Sequence, residues 1–379
     1  METAKTSALQ MNEAQLDKIR GSLLGGAAGD ALGYPVEFMS DESIIAEYGN
    51  GGIQAYALEM DQNQALISDD TQMTLFTACG LLYGKTQSTL RGREEDLPEY
   101  VYRAYLDWLT TQGWNAPQHQ SVSWILPRKE LHALRAPGNT CLSALSSGKK
   151  GSTVSKINDS KGCGGVMRIA PCSLLQYPQK ALSDRLAAEV AAITHGHPLG
   201  FIPAAFLNHV IHSAAFGQND ALPLLGIVEE AMLTTMRLFG EYSELDLFKD
   251  LVLRAVRYAE NDQPDAVNIH ALGGGWVAEE AVAIAIYCAL KYQDDFTKAL
   301  IASVNHSGDS DSTGAITGNI LGAWLGYSKI DEQWKQNLEL SDLILQLADD
   351  LCRGGRMHGG CLDEVWSRKY GNLPAGGVN

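Results

Sequence analysis

Two segments near opposite ends of the 379-residue chain carry glycine at every fourth position. In GSLLGGAAGDALG these are Gly21, Gly25, Gly29 and Gly33; in GAITGNILGAWLG they are Gly314, Gly318, Gly322 and Gly326. Residues four apart stack on one face of a helix, so each segment offers a ridge without side chains. Interior helix glycine costs about 0.8–1 kcal/mol relative to alanine, and a repeated cost of that kind requires a compensating contact. The contact such a ridge permits is the close approach of another backbone. Both ridges are therefore expected in the core, and pairing with each other would satisfy both. A membrane role for small-x-x-x-small helices does not fit, because Arg20, Asp30 and Glu37 interrupt the first apolar run.

The second ridge starts directly after Asp309 and Asp311, which stand among Ser310, Ser312 and Thr313. Carboxylate and hydroxyl oxygens at that density are the donors that Mg²⁺, Mn²⁺ or Ca²⁺ prefers. An Asp/Ser-rich run ahead of a helix also reads as a capped, solvated turn. A partner cluster, Ser68, Asp69 and Asp70, lies about 240 positions upstream. Ser68 is placed to cap a helix whose first turn holds the two acids, where the helix dipole favours negative charge. Adjacent carboxylates repel, and burying them is costly unless a cation neutralises them. The two clusters together suit one or two divalent ions. Glu37 lies just past Pro35, which ends the first glycine helix, and is a candidate catalytic or substrate-orienting acid; an exposed loop acid is the alternative.

The remaining chain reads as helix and loop, which gives an all-α fold. Asn12 is expected to cap a helix from Glu13, with Gln15 completing a capping box. Helical pattern resumes over Arg91 to Leu109, and Trp114 to Asn139 reads as a long ordered loop of the kind that borders sites. Glycines in KGCGGVMRIAP (161–171) are placed to expose backbone N–H groups to a phosphate, and THGHP (194–198) puts two histidines at a helix end. Helical spacing continues from Ala204 to Cys288, interrupted by a loop over Gln263 to Gly275, and a last helix covers Leu338 to Cys352. Two lookalikes fail: GLLYGKT (80–86) has one residue too few for a P-loop, and the run from Asp309 has Ile320 where a calcium EF-hand loop needs glutamate.

A formal charge of −16 and a pI near 4.9 argue against a nucleic-acid groove, which needs a basic face. Seven scattered cysteines without a C-x-x-C pair fit a reduced protein better than a disulfide framework. No signal-type apolar run opens the chain and no uncharged apolar span reaches transmembrane length, so no membrane role and a cytoplasmic location are expected. The expected organisation is a flexible extension over residues 1–17 and one compact orthogonal helical domain over 18–370.

Five motifs in order, GDALGYPVEF (29–38), SDDTQMT (68–74), KGCGGVMRIAP (161–171), THGHP (194–198) and GDSDSTGA (308–315), resemble the ADP-ribosylglycohydrolase family. The resemblance covers roughly residues 20 to 365. It implies an all-α domain with a binuclear Mg²⁺ or Mn²⁺ centre, ligated by Ser68, Asp69, Asp70, Asp309, Asp311 and Ser312. It places Glu37 near the scissile bond and makes Gly162, Gly164, Gly165, Val166, Met167 and His195 the groups that hold diphosphate and ribose. Lys161 departs from the family pattern, where many relatives have asparagine. The implied activity is removal of ADP-ribose from modified protein side chains, most readily arginine, with Asp311 or Glu37 positioning or deprotonating the attacking water. Two alternatives stand beside it: an immunity protein that reverses or blocks an ADP-ribosylating toxin, and an inactive relative that acts by binding.

Overall fold

A computed structural model describes residues 13–175, 180–217, 222–354 and 362–371. Among these the chain is helical and forms no β-strand. The first part contains α1 (Glu13–Gly33), α2 (Asp41–Tyr48), α3 (Asp69–Arg91), α4 (Leu97–Thr111), α5 (Asn139–Ser146) and α6 (Ala170–Leu174). A largely buried middle follows with α7 (Lys180–Ala192), α8 (Pro198–Phe216), α9 (Leu224–Phe239), α10 (Leu245–Ala259), α11 (Asp265–Leu272) and α12 (Ala278–Lys291). The last part holds α13 (Phe296–Val304), α14 (Ser310–Leu325), α15 (Glu332–Lys335), α16 (Ser341–Gly354) and α17 (Glu364–Tyr370).

The glycine ridges of α1 and α14 pack on each other, in opposite directions. A methyl group on Gly21 would lie 2.3 Å from the Gly322 carbonyl oxygen, on Gly25 2.6 Å from that of Gly318, and on Gly29 2.0 Å from that of Gly314. At Gly33 it would lie 2.3 Å from the oxygen of Ser310. These approaches are closer than any side chain allows, so the period of four is a steric requirement of the seam. Polar groups lock the register: Ser22 Oγ donates to the Asn319 carbonyl at 2.9 Å, and Asn319 Nδ2 donates to the Ser22 carbonyl at 2.8 Å. Because the helices run antiparallel, the start of α14 comes to rest at the end of α1.

Asp30 fixes the third partner. Its buried carboxylate accepts from the backbone N–H of Ser68 at 2.9 Å and of Thr71 at 3.1 Å, and from the Thr71 hydroxyl. The first turn of α3 is thus tied to α1, one helical turn before its exit. Pro35 sits in the short 3₁₀ turn Tyr34–Val36 that ends α1, which leaves Glu37 just beyond it.

Several details differ from the sequence reading. Glu13 to Asp17 belong to α1, with Leu16 buried and Asp17 accepting from Ser328, so the helical domain starts before residue 18. The proposed Asn12 cap lies outside the described residues. α3 extends to Arg91, and a turn separates it from α4. The loop over 263–275 contains α11, and the last stretch becomes helical only at Ser341. α8 is, at 19 residues, long and apolar enough to cross a membrane, because Asn208, His209 and His212 do not break its apolar average; 94% of that span is buried in the protein core.

Candidate active site

The junction of α1, α3 and α14 opens into a cleft of about 360 Å³. Glu37, Asp69, Asp70, Asp309, Asp311 and Ser312 line one part of it. Carboxylate oxygens of Glu37, Asp309 and Asp311 lie within 4.8 Å of one another. Ser68, the cap of α3, accepts from the Asp70 N–H at 3.2 Å and also hydrogen-bonds Asp311, so the two acidic helix starts meet directly. Asp311 additionally accepts from Ser312 N at 2.9 Å.

This group carries more negative charge than the protein around it balances. Burial, then the charges of Asp311, Asp309 and Asp69, push the Glu37 carboxyl up to about 10. Burial and mutual repulsion hold Asp69, Asp70 and Asp309 well above the usual carboxylate range, and Asp30 is raised to about 7. Among the described residues, no lysine or arginine side chain lines the cleft. Glu37 Oε2, Asp70 Oδ2 and Asp309 Oδ2 are buried without a hydrogen-bond partner among the described residues. Orphaned oxygens in a crowd of buried acids are the donor set that a hard divalent cation satisfies. The residues present therefore fit such an ion.

The opposite wall comes from the 161–167 segment. Gly162, Gly164 and Met167 line the cleft together with His195. Gly165 and Val166 do not: a methyl at Gly165 would meet the Gly200 carbonyl at 2.9 Å, and Val166 is buried in the core. Its backbone donors are largely spent inside the fold. Val166 and Met167 both donate to the Cys163 carbonyl, Cys163 donates to that of Trp276, and Gly162 donates to Ser160 Oγ. What the turn gives the cleft is mainly room. Lys161, the departure from the family pattern, pairs its ammonium with the buried carboxylate of Glu279.

A model of the ADP-ribosylglycohydrolase family matches residues 11–360. The chain belongs to that family. Its relatives include an ADP-ribosyl-[dinitrogen reductase] glycohydrolase of Rhodospirillum rubrum, 24% identical over 86% of this chain and 91% of that one. An ADP-ribosylarginine hydrolase Tri1 of Pseudomonas putida is 22% identical over 89% of this chain and 79% of its own length. A solved structure named ADP-ribosylglycohydrolase-related protein complex shares the fold, with a TM-score of 0.62 at 23% identity, covering 90% of this chain and 99% of that one. The protein is accordingly a hydrolase of glycosidic ADP-ribose linkages that removes ADP-ribose from modified substrates.

Three features of this glycohydrolase escape a reading of the motifs. Asp30, noted there only as a break in an apolar run, anchors α3. A strap over residues 135–139 crosses Asp69: the Asp69 N–H donates to the Arg135 carbonyl at 3.0 Å, and Gly138 N donates to Asp69 Oδ2 at 3.3 Å. Within it Ala136 takes φ +53°, a left-handed conformation that non-glycine residues adopt at a cost and that clusters at functional sites. The third feature is an aromatic pair at the cleft mouth, where the exposed rings of Phe38 and Trp276 stack with centroids 5.7 Å apart. Phe38 stands beside Glu37, and an exposed phenylalanine next to a candidate catalytic acid was the available signal.

Proposed function

We propose that this glycohydrolase releases ADP-ribose from arginine side chains of modified proteins, using two divalent cations, Mg²⁺ or Mn²⁺, held by Ser68, Asp69, Asp70, Asp309, Asp311 and Ser312. The observation that carries the reading is the set of buried, mutually repelling carboxylates with orphaned oxygens, gathered at one end of a cleft whose other end is built from glycines and a histidine. Bound divalent ions there supply a polarised water of lowered pKa and a grip on vicinal ribose hydroxyls. Glu37 brings a carboxylate oxygen within 4.8 Å of Asp309 and Asp311, a position from which, once bound cations offset the repulsion that raises it, it would orient the attacking water and take its proton. As water bonds to the anomeric carbon, the bond to the acceptor nitrogen breaks through an oxocarbenium-like state. A protonated guanidinium departs as neutral guanidine.

The acceptor assignment rests on charge and on the rim. A cleft lined by acids without lysine or arginine keeps a guanidinium protonated, and the faces of Phe38 and Trp276 suit a planar cation. The Tri1 relative is named for the same acceptor. Incubation with peptides carrying ADP-ribose on arginine or on serine, with Mg²⁺ or Mn²⁺ in turn, tests this. Release from arginine peptides is expected with either ion. Release from serine peptides alone would overturn the acceptor, and undiminished release after chelation would overturn the cations.

A further inference from the structure

Arg168 lies fully buried behind the glycine wall of the cleft. Among the described residues no carboxylate pairs with it. Its Nη1 sits 3.3 Å from the sulfurs of Met73 and Cys141, its Nη2 donates to Thr194 Oγ1 at 2.5 Å, and its Cζ stands 4.2 Å from the ring centroid of Tyr105. Its Nε has no hydrogen-bond partner among the described residues. A buried cation without a counter-charge is an expensive arrangement, and one layer of side chains separates it from the cleft. That layer is Cys141 and His195, both of which line the cleft.

Thr194 joins the cation to the histidine, with Oγ1 2.9 Å from His195 Nδ1. A guanidinium can only donate, so the threonine oxygen accepts from Arg168 and keeps its single proton for a neighbour. If that proton goes to His195 Nδ1, the neutral ring carries its own proton on Nε2. The reverse assignment leaves the hydroxyl proton with the Cys141 sulfur, a weak acceptor, and turns a lone pair toward the cleft. His195 Nε2 makes no hydrogen bond among the described residues, and a methyl at Gly162 or Gly164 would come within 3.3 Å of it. The missing side chains of the turn thus keep a passage open to this atom. Burial and the charge of Arg168 lower the imidazole to about 3, so the ring stays neutral under ordinary conditions.

We infer that Arg168 is a positioning residue that acts through Thr194 to hold His195 as an Nε2–H donor facing the anionic part of the substrate, the diphosphate of ADP-ribose. The inference rests on the ADP-ribose reading above. It also gives the cleft a polarity, with carboxylates for cations and sugar at one end and a buried positive field behind the other.

Thr194→Val preserves shape and removes the hydroxyl, whereas Thr194→Ser restores it. Nitrogen-15 histidine spectra of the ion-free protein, with His195 assigned by the signal lost in His195→Gln, read the tautomer without any turnover. The Nε2–H form is expected in the wild type and in Thr194→Ser, and a mixed or Nδ1–H form in Thr194→Val. Calorimetric titration with ADP-ribose should show about tenfold weaker binding for Thr194→Val and nearly wild-type binding for Thr194→Ser, the size of one hydrogen bond. The loss should appear in KM with kcat largely kept. Arg168→Met, checked for folding by circular dichroism, should weaken binding at least as much. An Nδ1–H or charged His195 in the wild type, or a Thr194→Val protein unchanged in tautomer and affinity, overturns the relay. A wild type with the Nε2–H tautomer that does not bind ADP-ribose overturns the substrate assignment instead, and with it the diphosphate as the anion.

Discussion

The seam between α1 and α14 and the acidic group at its end, where the start of α3 joins them, are built by opposite means. Along the seam side chains are removed until backbones touch, and every approach is satisfied within the chain. At its end side chains are crowded until like charges face one another, and three buried oxygens are left without partners. The seam is complete as folded protein, whereas the acidic group is completed by something the protein binds. Each region therefore answers differently to substitution and to solution conditions.

The largest effect is expected in the seam. Gly29→Val places carbon 2.0 Å from the Gly314 carbonyl oxygen, a clash with backbone on which no rotamer improves. Its cost is comparable to the whole stability of a domain, about 5–15 kcal/mol, so the variant should be recovered without cooperative unfolding in calorimetry. A variant that melts within a few degrees of the wild type would show the helices to be farther apart than described. Asp309→Ala should do the reverse. Turnover should fall by more than about 100-fold, the range reached when a metal shell or charge-stabilising group is lost. Its ion-free melting temperature should not drop, because one of several repelling buried acids has gone; a large drop would make Asp309 a structural residue.

Solution pH gives an intermediate effect confined to the acidic end. The folded carboxyl of Glu37 is raised from 4.5 to about 10, and Asp69, Asp70 and Asp309 are raised in the same direction. For a carboxyl raised on folding, the stabilising protonated form is fully present below the unfolded pKa and is lost as pH climbs through the folded one. Melting temperature of the ion-free protein should therefore fall between about pH 5 and about pH 9. Added Mg²⁺ should remove most of that fall, and a flat ion-free profile would mean that the acids are not buried together. The smallest effect belongs to a glycine outside both regions. In α9 the atoms nearest a methyl at Gly226 belong to the side chains of Leu222 and Pro223, at 3.2 Å and beyond. Gly226→Ala should gain about 0.5–1 kcal/mol by denaturant unfolding, and a loss of several would extend the seam's logic beyond its helices.

The parts of this architecture that were legible in sequence are those written locally. A period of four specifies a bare helical face within one segment, and a serine followed by two aspartates specifies a capped, acidic helix start. Juxtaposition is less legible, because it depends on partners remote in the chain. Asp30 reads as an interruption until Ser68 and Thr71 arrive to be bound by it. Lys161 reads only as a departure from the family's asparagine until Glu279 pairs with its charge. Gly165 and Val166 sit in the right motif, yet a helical pitch turns them toward α8 and the core while their neighbours face the cleft.

Seam geometry also bears on how the molecule is made. Asn319 and Ser22, which bond each other across it, are 297 positions apart, so contacts of this range form late and slowly compared with local ones. A ribosome must make 297 further positions after Ser22 before α1 finds this mate. Fragments that end before Ser310 would leave α1 without the ridge its glycines fit. The cleft is thus incomplete until α14 has been made, and α1 waits for its partner across that whole interval.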